Sequence, residues 1–169
     1  MKIIFSGPEC SGKSTLSTWL AKELNGYVCT EYAREYLSKK QSKYSFHEIE
    51  VIGRKQKEKW VQKKNESILI MDTDFLVLKI WSNWKFKACS KFIEQEWENQ
   101  KFDFYFLCKP DIPWEYDKLR ESKNERIKLY REYVLELNKK NISYTILEGS
   151  LENRKQKIKA VLDNKLLSH

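Results

Sequence analysis

The segment GPECSGKST, at residues 7–15, constrains the fold more than any other part of the sequence. It follows an apolar run at residues 2–6 and precedes a stretch whose apolar residues have helical spacing, namely Leu16, Trp19, Leu20 and Leu24. A glycine-rich turn between a buried strand and a helix lets backbone N–H groups and the helix N-terminus surround a phosphate group. Its key residues have the spacing of loops that hold nucleotide phosphates: Gly7, Gly12, Lys13 and Ser14. The sequence therefore predicts a nucleotide-binding α/β domain.

The residue types in this loop predict how it binds a nucleotide. The Lys13 ammonium reaches the β- and γ-phosphates, and the Ser14 hydroxyl binds Mg²⁺. Backbone N–H groups of the loop face the phosphate oxygens. The predicted ATP-binding residues are Gly7, Glu9, Cys10, Ser11, Gly12, Lys13, Ser14 and Thr15. We expect ATP as co-substrate and Mg²⁺ as the cofactor.

Predicted strands alternate with predicted helices along the rest of the chain. The strands are expected at residues 2–6, 27–30, 67–71, 102–107 and 143–147. The helices are expected at 13–24, 31–39, 45–64, around Trp81 and Trp84, at 126–138 and at 151–166. This alternation is typical of a doubly wound parallel sheet, here of about five strands, with helices on both faces. A chain of 169 residues fits a single domain, residues 1–169.

Acidic residues follow two of these strands, at the edge where ligands bind in open α/β sheets. Asp72 directly follows the apolar run ILIM and is predicted to hold Mg²⁺ near the γ-phosphate, unless it caps the next helix. Asp74 either provides that cap or binds a substrate hydroxyl. Glu31 is a candidate base that deprotonates an acceptor hydroxyl, the alternative being a glutamate favoured by the helix dipole.

The neighbours of these acids are candidates for binding the acceptor. Arg34 either contacts substrate or phosphate, or pairs with Glu31 or Glu35. The aromatic residues Tyr32, Trp81 and Trp84 either stack on a planar ring or belong to the core.

The segment 110–126 is predicted to be a short lid. Two prolines interrupt regular structure, and charged residues fill the rest. A connection of this length in a compact domain more often has a function than serves only to join two elements. Arg120 and Arg126 are predicted to be catalytic, because a guanidinium grips phosphate oxygens in two places. Alternatively, both pair with neighbouring glutamates, Glu121 and Glu125.

Composition argues against several other functions. The formal net charge is +8, but the lysines are scattered rather than clustered, which disfavours nucleic-acid binding as the main function. No stretch has the roughly 20 apolar residues of a membrane span, and the apolar start is too short for a signal peptide. We therefore expect a cytoplasmic protein. The four cysteines show no C-x-x-C spacing, which disfavours metal and disulfide roles.

Several segments together resemble a known family. GPECSGKSTL, TEYAREY, ILIMDTDF, KPDIPWEYDKLRES and NERIKLYREY are similar to the ribosylnicotinamide kinase domain of bacterial NAD-biosynthesis regulators and its stand-alone relatives. The similarity covers nearly the whole chain. The complete regulators also carry DNA-binding and adenylyltransferase domains. Because this chain has no room for either, we expect only the kinase function.

The resemblance implies an enzyme that converts nicotinamide riboside and ATP into nicotinamide mononucleotide and ADP. It implies ATP phosphates at Gly7–Thr15, Mg²⁺ at Ser14 and Asp72, ribose contacts from Glu31 or Asp74, and a mobile lid around 114–126. Two alternatives remain at this point. One is a kinase for another nucleoside or nucleotide, and the other is a nucleotide-dependent switch or regulatory ATPase without a small-molecule acceptor.

Overall fold

The computed structural model describes residues 1–40 and 43–166. Its five strands are β1 (Lys2–Ser6), β2 (Tyr27–Cys29), β3 (Leu69–Asp72), β4 (Phe104–Cys108) and β5 (Thr145–Leu147). Its helices are α1 (Lys13–Glu23), α2 (Tyr32–Ser38), α3 (Phe46–Gln62), α4 (Phe75–Phe86), α5 (Lys91–Asn99), α6 (Arg126–Lys139) and α7 (Leu151–Leu166). The predicted strands are confirmed, with ends that differ by one or two residues.

The five strands form one parallel sheet in the order β2-β3-β1-β4-β5. The central strand β1 pairs with β3 on one side and β4 on the other, so that Ile4 lies opposite both Met71 and Tyr105. All strands run in the same direction, and their carboxyl ends therefore meet at one edge. The loop that follows β1 opens in the middle of that edge.

Helices cover both faces of the sheet, as predicted for a doubly wound fold. On one face α1 and α7 bury Leu16 and Ile158 against Phe5 of β1. On the other face α3, α4, α5 and α6 bury a larger cluster that includes Phe75 and Trp97. Burial on both faces explains why the central strands read as continuous apolar runs.

Local signals fixed some helix boundaries and missed one helix. The capping box of Ser45 and Glu48 begins α3 as predicted, with the Ser45 N–H donating to the Glu48 carboxylate at 2.8 Å. Helix α5 was not predicted. Its Ser90 hydroxyl caps the Ile93 N–H, and only two of its residues, Ile93 and Trp97, are buried. The helix has only nine residues, fewer than the window over which helical periodicity is recognised in a sequence.

The connection between β4 and α6, residues 109–125, contains no helix or strand and covers nearly the whole segment for which a lid is predicted. We call residues 110–125 the lid from here on. In the part of the chain that the structure describes, no helix combines the length and the apolar character needed to cross a bilayer.

Candidate active site

A cavity of about 680 Å³ opens at the carboxyl edge of the sheet. The loop after β1 forms part of its wall through residues 8–15. Predicted site residues from other elements also line it: Glu31, Arg34, Trp81, Trp84 and Arg120. The fold thus brings residues far apart in sequence to one site, as the strand-end rule predicts.

The backbone of the phosphate loop requires glycine at two positions. Gly7 has φ +133°, and a Cβ there would lie 2.5 Å from the carbonyl oxygen of Cys108 on the neighbouring strand. Gly12 has φ +88° and is the N-cap residue of α1. Both values lie in the left-handed region that side chains disfavour. The motif's glycines therefore have a structural reason as well as a chemical one.

The Lys13 side chain lies against this loop and is only 9% exposed. Its ammonium donates to the carbonyl oxygens of Gly7 at 2.8 Å and Pro8 at 2.7 Å. These contacts hold a positive charge beside the loop amides, where a phosphate group would be attracted.

Arg154 supports the loop from behind and was not predicted from the sequence. This α7 residue is 2% exposed, and its guanidinium donates to the carbonyl oxygens of Ser11 at 2.7 Å, Gly149 at 3.0 Å and Lys109 at 3.1 Å. It also pairs with the Asp111 carboxylate. The guanidinium therefore ties the phosphate loop to the ends of β4 and β5. No local pattern marked this arginine, because its partners are distant in sequence.

Asp72 lies at the end of β3 beside the phosphate loop. Its carboxylate is 4% exposed, and burial raises its pKa, while a hydrogen bond from Ser14 and the charges of Lys13 and Arg34 act in the opposite direction. Among the described residues, its Oδ1 has no hydrogen-bond partner.

An unpartnered carboxylate oxygen next to a hydroxyl suits Mg²⁺, which prefers oxygen ligands and keeps several waters. The described residues contain no group of three or more His, Cys, Asp or Glu side chains that could hold a metal by themselves. A magnesium ion bound mainly by phosphates and water needs no such group. The Ser14 and Asp72 pair therefore fits the ion.

Asp74 does not reach the cavity, and the structure resolves its two alternatives in favour of the helix cap. The residue is fully buried and caps α4 by accepting from the Val77 N–H. Ser6, Gln100 and Tyr105 also donate to its carboxylate, at 2.8 to 2.9 Å. These bonds saturate the carboxylate inside the core, so its predicted substrate contact is not supported.

Thr73 separates these two acids in a strained turn. It has φ +104°, which is unusual for a β-branched residue, and it is 1% exposed. The turn directs Asp72 to the phosphate loop and Asp74 into the core. Asp72 is therefore not the cap of α4, which removes the alternative given for it.

Glu31 lines the cavity at the start of α2. It is the N-cap residue of that helix, yet its side chain makes no capping hydrogen bond. Burial raises the pKa of the carboxyl group, the charges of Lys13 and Arg34 lower it, and the charges of Asp72 and Glu9 raise it. A carboxylate with a raised pKa that is free of capping is suited to accept a proton.

Gln56 of α3 holds the turn that carries Glu31 and was not predicted as a site residue. It is 2% exposed. Its amide oxygen accepts from the Tyr32 N–H at 2.7 Å, and its amide nitrogen donates to the Thr30 carbonyl oxygen at 3.3 Å. The two bonds flank Glu31 on either side. A buried glutamine inside an amphipathic helix is the only local hint.

The two other predicted residues of α2 differ in position. Arg34 lines the cavity and pairs with Asp117 of the lid at 2.8 Å, rather than with Glu31 or Glu35 as the alternative proposed. Tyr32 does not line the cavity, and its ring packs 6.2 Å from that of Tyr36. Its predicted contact with the substrate is therefore not supported.

Three aromatic residues line the cavity and form what we call the aromatic wall: Tyr44, Trp81 and Trp84. The Trp81 indole N–H donates to the Tyr44 hydroxyl at 2.7 Å, and the two rings meet edge to face at 4.9 Å. Lys85 lies 3.8 Å from the Tyr44 ring centroid and pairs with Glu121 of the lid at 2.6 Å. Tyr44 was not predicted as a site residue. The wall offers ring faces of the kind on which planar heterocycles stack.

The two arginines predicted to be catalytic, Arg120 of the lid and Arg126 at the start of α6, take different positions. Arg120 lines the cavity and donates to the Glu115 carbonyl oxygen at 2.6 Å, with its Nη1 3.4 Å from the Cys10 thiol. Arg126 lies outside the cavity walls and donates to the carbonyl oxygens of Cys10 at 3.0 Å and Ile112 at 3.2 Å. Neither forms an ion pair with Glu121 or Glu125 in the described residues. In this arrangement Arg126 fastens the phosphate loop to the lid, which differs from its predicted contact with phosphate.

Comparisons with known proteins identify the family. The model of the AAA_28 family, described as an AAA domain, matches residues 2–154. The trifunctional NAD biosynthesis/regulator protein NadR of Salmonella typhimurium is 27% identical over 143 residues, covering 80% of this chain and 35% of its own length. The chain thus spans about a third of that relative.

Solved structures with the same fold include two kinds of protein. NadR in complex with NR matches with a TM-score of 0.80 at 20% identity, over 96% of this chain and 50% of its own. Deoxyadenosine kinase from M. mycoides matches with a TM-score of 0.69 at 16% identity, over 97% and 100%. The resemblance to the NAD-biosynthesis regulator is confirmed, and so is the fold of phosphate-loop kinases. The chain belongs to the AAA_28 family.

Proposed function

We propose that this chain is a kinase that transfers the γ-phosphoryl group of ATP to a hydroxyl group of a nucleoside, with nicotinamide riboside as the first candidate acceptor. The observation that carries the proposal is the cavity of about 680 Å³, which the phosphate loop, Glu31 and the aromatic wall line together. A cavity of this size accommodates a small ligand beside a nucleotide's phosphates.

The phosphate loop would hold ATP, the phosphoryl donor. The amides of residues 8–15 and the Lys13 ammonium attract the β- and γ-phosphates. Arg120 approaches from the lid and adds positive charge where charge develops during transfer. Mg²⁺, held by Ser14 and Asp72, would neutralise charge on the β- and γ-phosphate oxygens.

Glu31 and the aromatic wall would hold and activate the acceptor. The Glu31 carboxylate accepts the proton of the acceptor hydroxyl. At the same time the oxygen of that hydroxyl forms the new bond to the γ-phosphorus. The bond between that phosphorus and the β,γ-bridging oxygen breaks, and ADP leaves with the bonding electrons. Burial raises the pKa of Glu31, which strengthens it as a base.

The aromatic wall favours an acceptor with a planar ring, since Tyr44, Trp81 and Trp84 line the cavity together. Nicotinamide riboside has such a ring on a ribose. Support for this acceptor also comes from the likeness to NadR, which was solved in complex with NR. The likeness to deoxyadenosine kinase, which has the same fold, supports a nucleoside acceptor more generally.

The switch alternative lacks a comparable observation. A nucleotide-dependent switch has no need for a carboxylate and an aromatic wall on the acceptor side of the phosphates. Both are present here within one cavity.

The proposal is tested by incubating the protein with Mg²⁺, ATP and a panel of nucleosides, and by identifying products by mass. The panel contains nicotinamide riboside, deoxyadenosine, deoxycytidine and thymidine. We expect phosphorylation of the primary hydroxyl of nicotinamide riboside with the highest kcat/KM. If another nucleoside reacts with a kcat/KM at least about tenfold higher, nicotinamide riboside is the wrong acceptor, but the kinase proposal is still supported. A tenfold difference corresponds to about 1.4 kcal/mol in transition-state binding. If no nucleoside is phosphorylated, the kinase proposal is wrong.

A further inference from the structure

Glu9 is an acidic residue inside a loop built to bind anions, and its side chain bonds to the lid. Its carboxylate accepts the backbone N–H of Glu121 at 3.2 Å and also that of Ser122. These are consecutive amides of the lid, and both point toward the same carboxylate. Two successive N–H groups that converge on the two oxygens of one carboxylate form the kind of concave site that holds anions.

Charged groups around this contact point to the same ligand chemistry. Burial raises the pKa of Glu9, while the two lid amides, Lys13 and Arg120 lower it. The Arg120 Nε is buried and has no hydrogen-bond partner among the residues that the structure describes. The position thus combines two backbone donors, a lysine and an arginine with an unused donor. All of these favour a negatively charged group.

Glu9 and a nucleotide phosphate need the same donors. Glu9 lines the cavity beside Lys13, where the proposed function places the phosphates. Two anions at this place would repel each other, because like charges a few ångströms apart in a partly buried site interact strongly. The carboxylate must therefore leave the lid amides when a terminal phosphate occupies them.

We propose that the Glu121 and Ser122 amides, together with Arg120, form an anion site in the lid that the Glu9 carboxylate fills until a phosphate group replaces it. The phosphate as ligand rests on the proposed function, whereas the contact of Glu9 with the lid does not. In the free protein Glu9 holds the lid against the phosphate loop. Binding of a nucleotide exchanges one anion for another, so the lid keeps its donors satisfied in both states.

The experiment compares Glu9→Ala with a matched variant, Glu115→Ala. Glu115 is an exposed glutamate of the same lid, and its removal changes the net charge by the same amount. Hydrogen exchange of the lid amides is measured on the full chain without any ligand. Binding of inorganic tripolyphosphate is then measured by calorimetry. Glu9→Gln serves as a third variant, which keeps one oxygen acceptor but loses the charge.

In Glu9→Ala we expect lid exchange to accelerate by about tenfold or more, because two hydrogen bonds to a charged group are lost. We also expect tripolyphosphate to bind several-fold more tightly, because its competitor is gone. Glu9→Gln should lie between this variant and the unmodified protein, and Glu115→Ala should change neither quantity.

Unchanged lid exchange in Glu9→Ala would overturn the proposal. Weaker binding of tripolyphosphate would also overturn it, since Glu9 would then support the occupied site rather than compete for it. No binding in any variant would remove the anion site altogether. None of these measurements needs an acceptor or turnover. A protein that phosphorylates a nucleoside but shows unchanged lid exchange in Glu9→Ala would contradict this inference alone.

Discussion

The phosphate loop and the lid are held in different ways. At the phosphate-loop end the contacts are buried: Gly7 packs against the Cys108 carbonyl, and the 2% exposed guanidinium of Arg154 bonds to three backbone carbonyls. The lid is held in part by ion pairs between partly exposed side chains. The Arg34 and Asp117 side chains are 47% and 25% exposed, and the Lys85 and Glu121 side chains are 30% and 53% exposed.

This difference indicates which end can move. Exposed ion pairs each contribute about 0.2–1 kcal/mol, whereas breaking a buried charged network costs several times more. The phosphate loop is therefore a fixed part of the scaffold, whereas the ion pairs that join the lid to α2 and α4 can break at little cost. Substitutions at the loop end should abolish the reaction, and substitutions toward the lid should adjust it.

Lys13→Ala should have the largest effect. Removing the ammonium leaves the transferring phosphoryl group without its fixed positive charge, and we expect kcat to fall by roughly 1,000-fold or more. Steady-state kinetics with ATP and the accepted nucleoside measure this, with circular dichroism to confirm folding. A folded variant that keeps a kcat near that of the unmodified protein would contradict the role of the loop.

Glu31→Gln should have the next largest effect. The change keeps the shape but removes the proton acceptor, so kcat should fall by roughly 100-fold or more while ATP affinity stays the same. Glu35→Gln, on the same helix but exposed, serves as the matched control. An unchanged kcat would remove Glu31 as the base. The structure offers no substitute in Asp74, whose carboxylate is enclosed in the core.

Arg120→Ala should lower kcat by about 10- to 100-fold while ATP binding weakens only modestly, because its contact forms mainly in the closed transition state. Arg131→Ala removes an exposed arginine from α6 and serves as the control. Rapid-mixing kinetics separate phosphoryl transfer from nucleotide binding. Equal loss of ATP affinity and kcat would show that Arg120 binds the ground state instead.

Arg34→Gln should have the smallest effect and shift the pH dependence. The proposed mechanism requires ionised Glu31, so kcat/KM should fall as the pH drops through the pKa of that residue, which burial raises above the usual glutamate range. The charge of Arg34 lowers this pKa. Removing it should therefore move the acid limb of the profile to higher pH.

Asp117→Asn is the matched control for this shift. It breaks the same ion pair and leaves the charge of Arg34 in place, so the acid limb should not move upward. If both variants give the same shift, the lid position rather than the Arg34 charge sets the pH dependence.

The comparison also explains what the sequence could predict. The phosphate loop, the five strands and the capping box of α3 depend on neighbouring residues, and local patterns identified them. Arg154 and Gln56 act through partners far away in the chain, and no local pattern marks such contacts. Asp72 and Asp74 look alike in sequence. Only the turn at Thr73 directs Asp72 to the phosphate loop and Asp74 into the core.

The central claim is that the phosphate loop and the acceptor side of the cavity, formed by Glu31 and the aromatic wall, take part in one reaction. The most direct test measures ADP formation with and without nicotinamide riboside, together with the amount of phosphorylated nucleoside. We predict that ADP formation depends on the acceptor and that one phosphorylated nucleoside appears for each ADP. Equal rates of ADP formation with and without any nucleoside of the panel, and no phosphorylated product, would contradict the account.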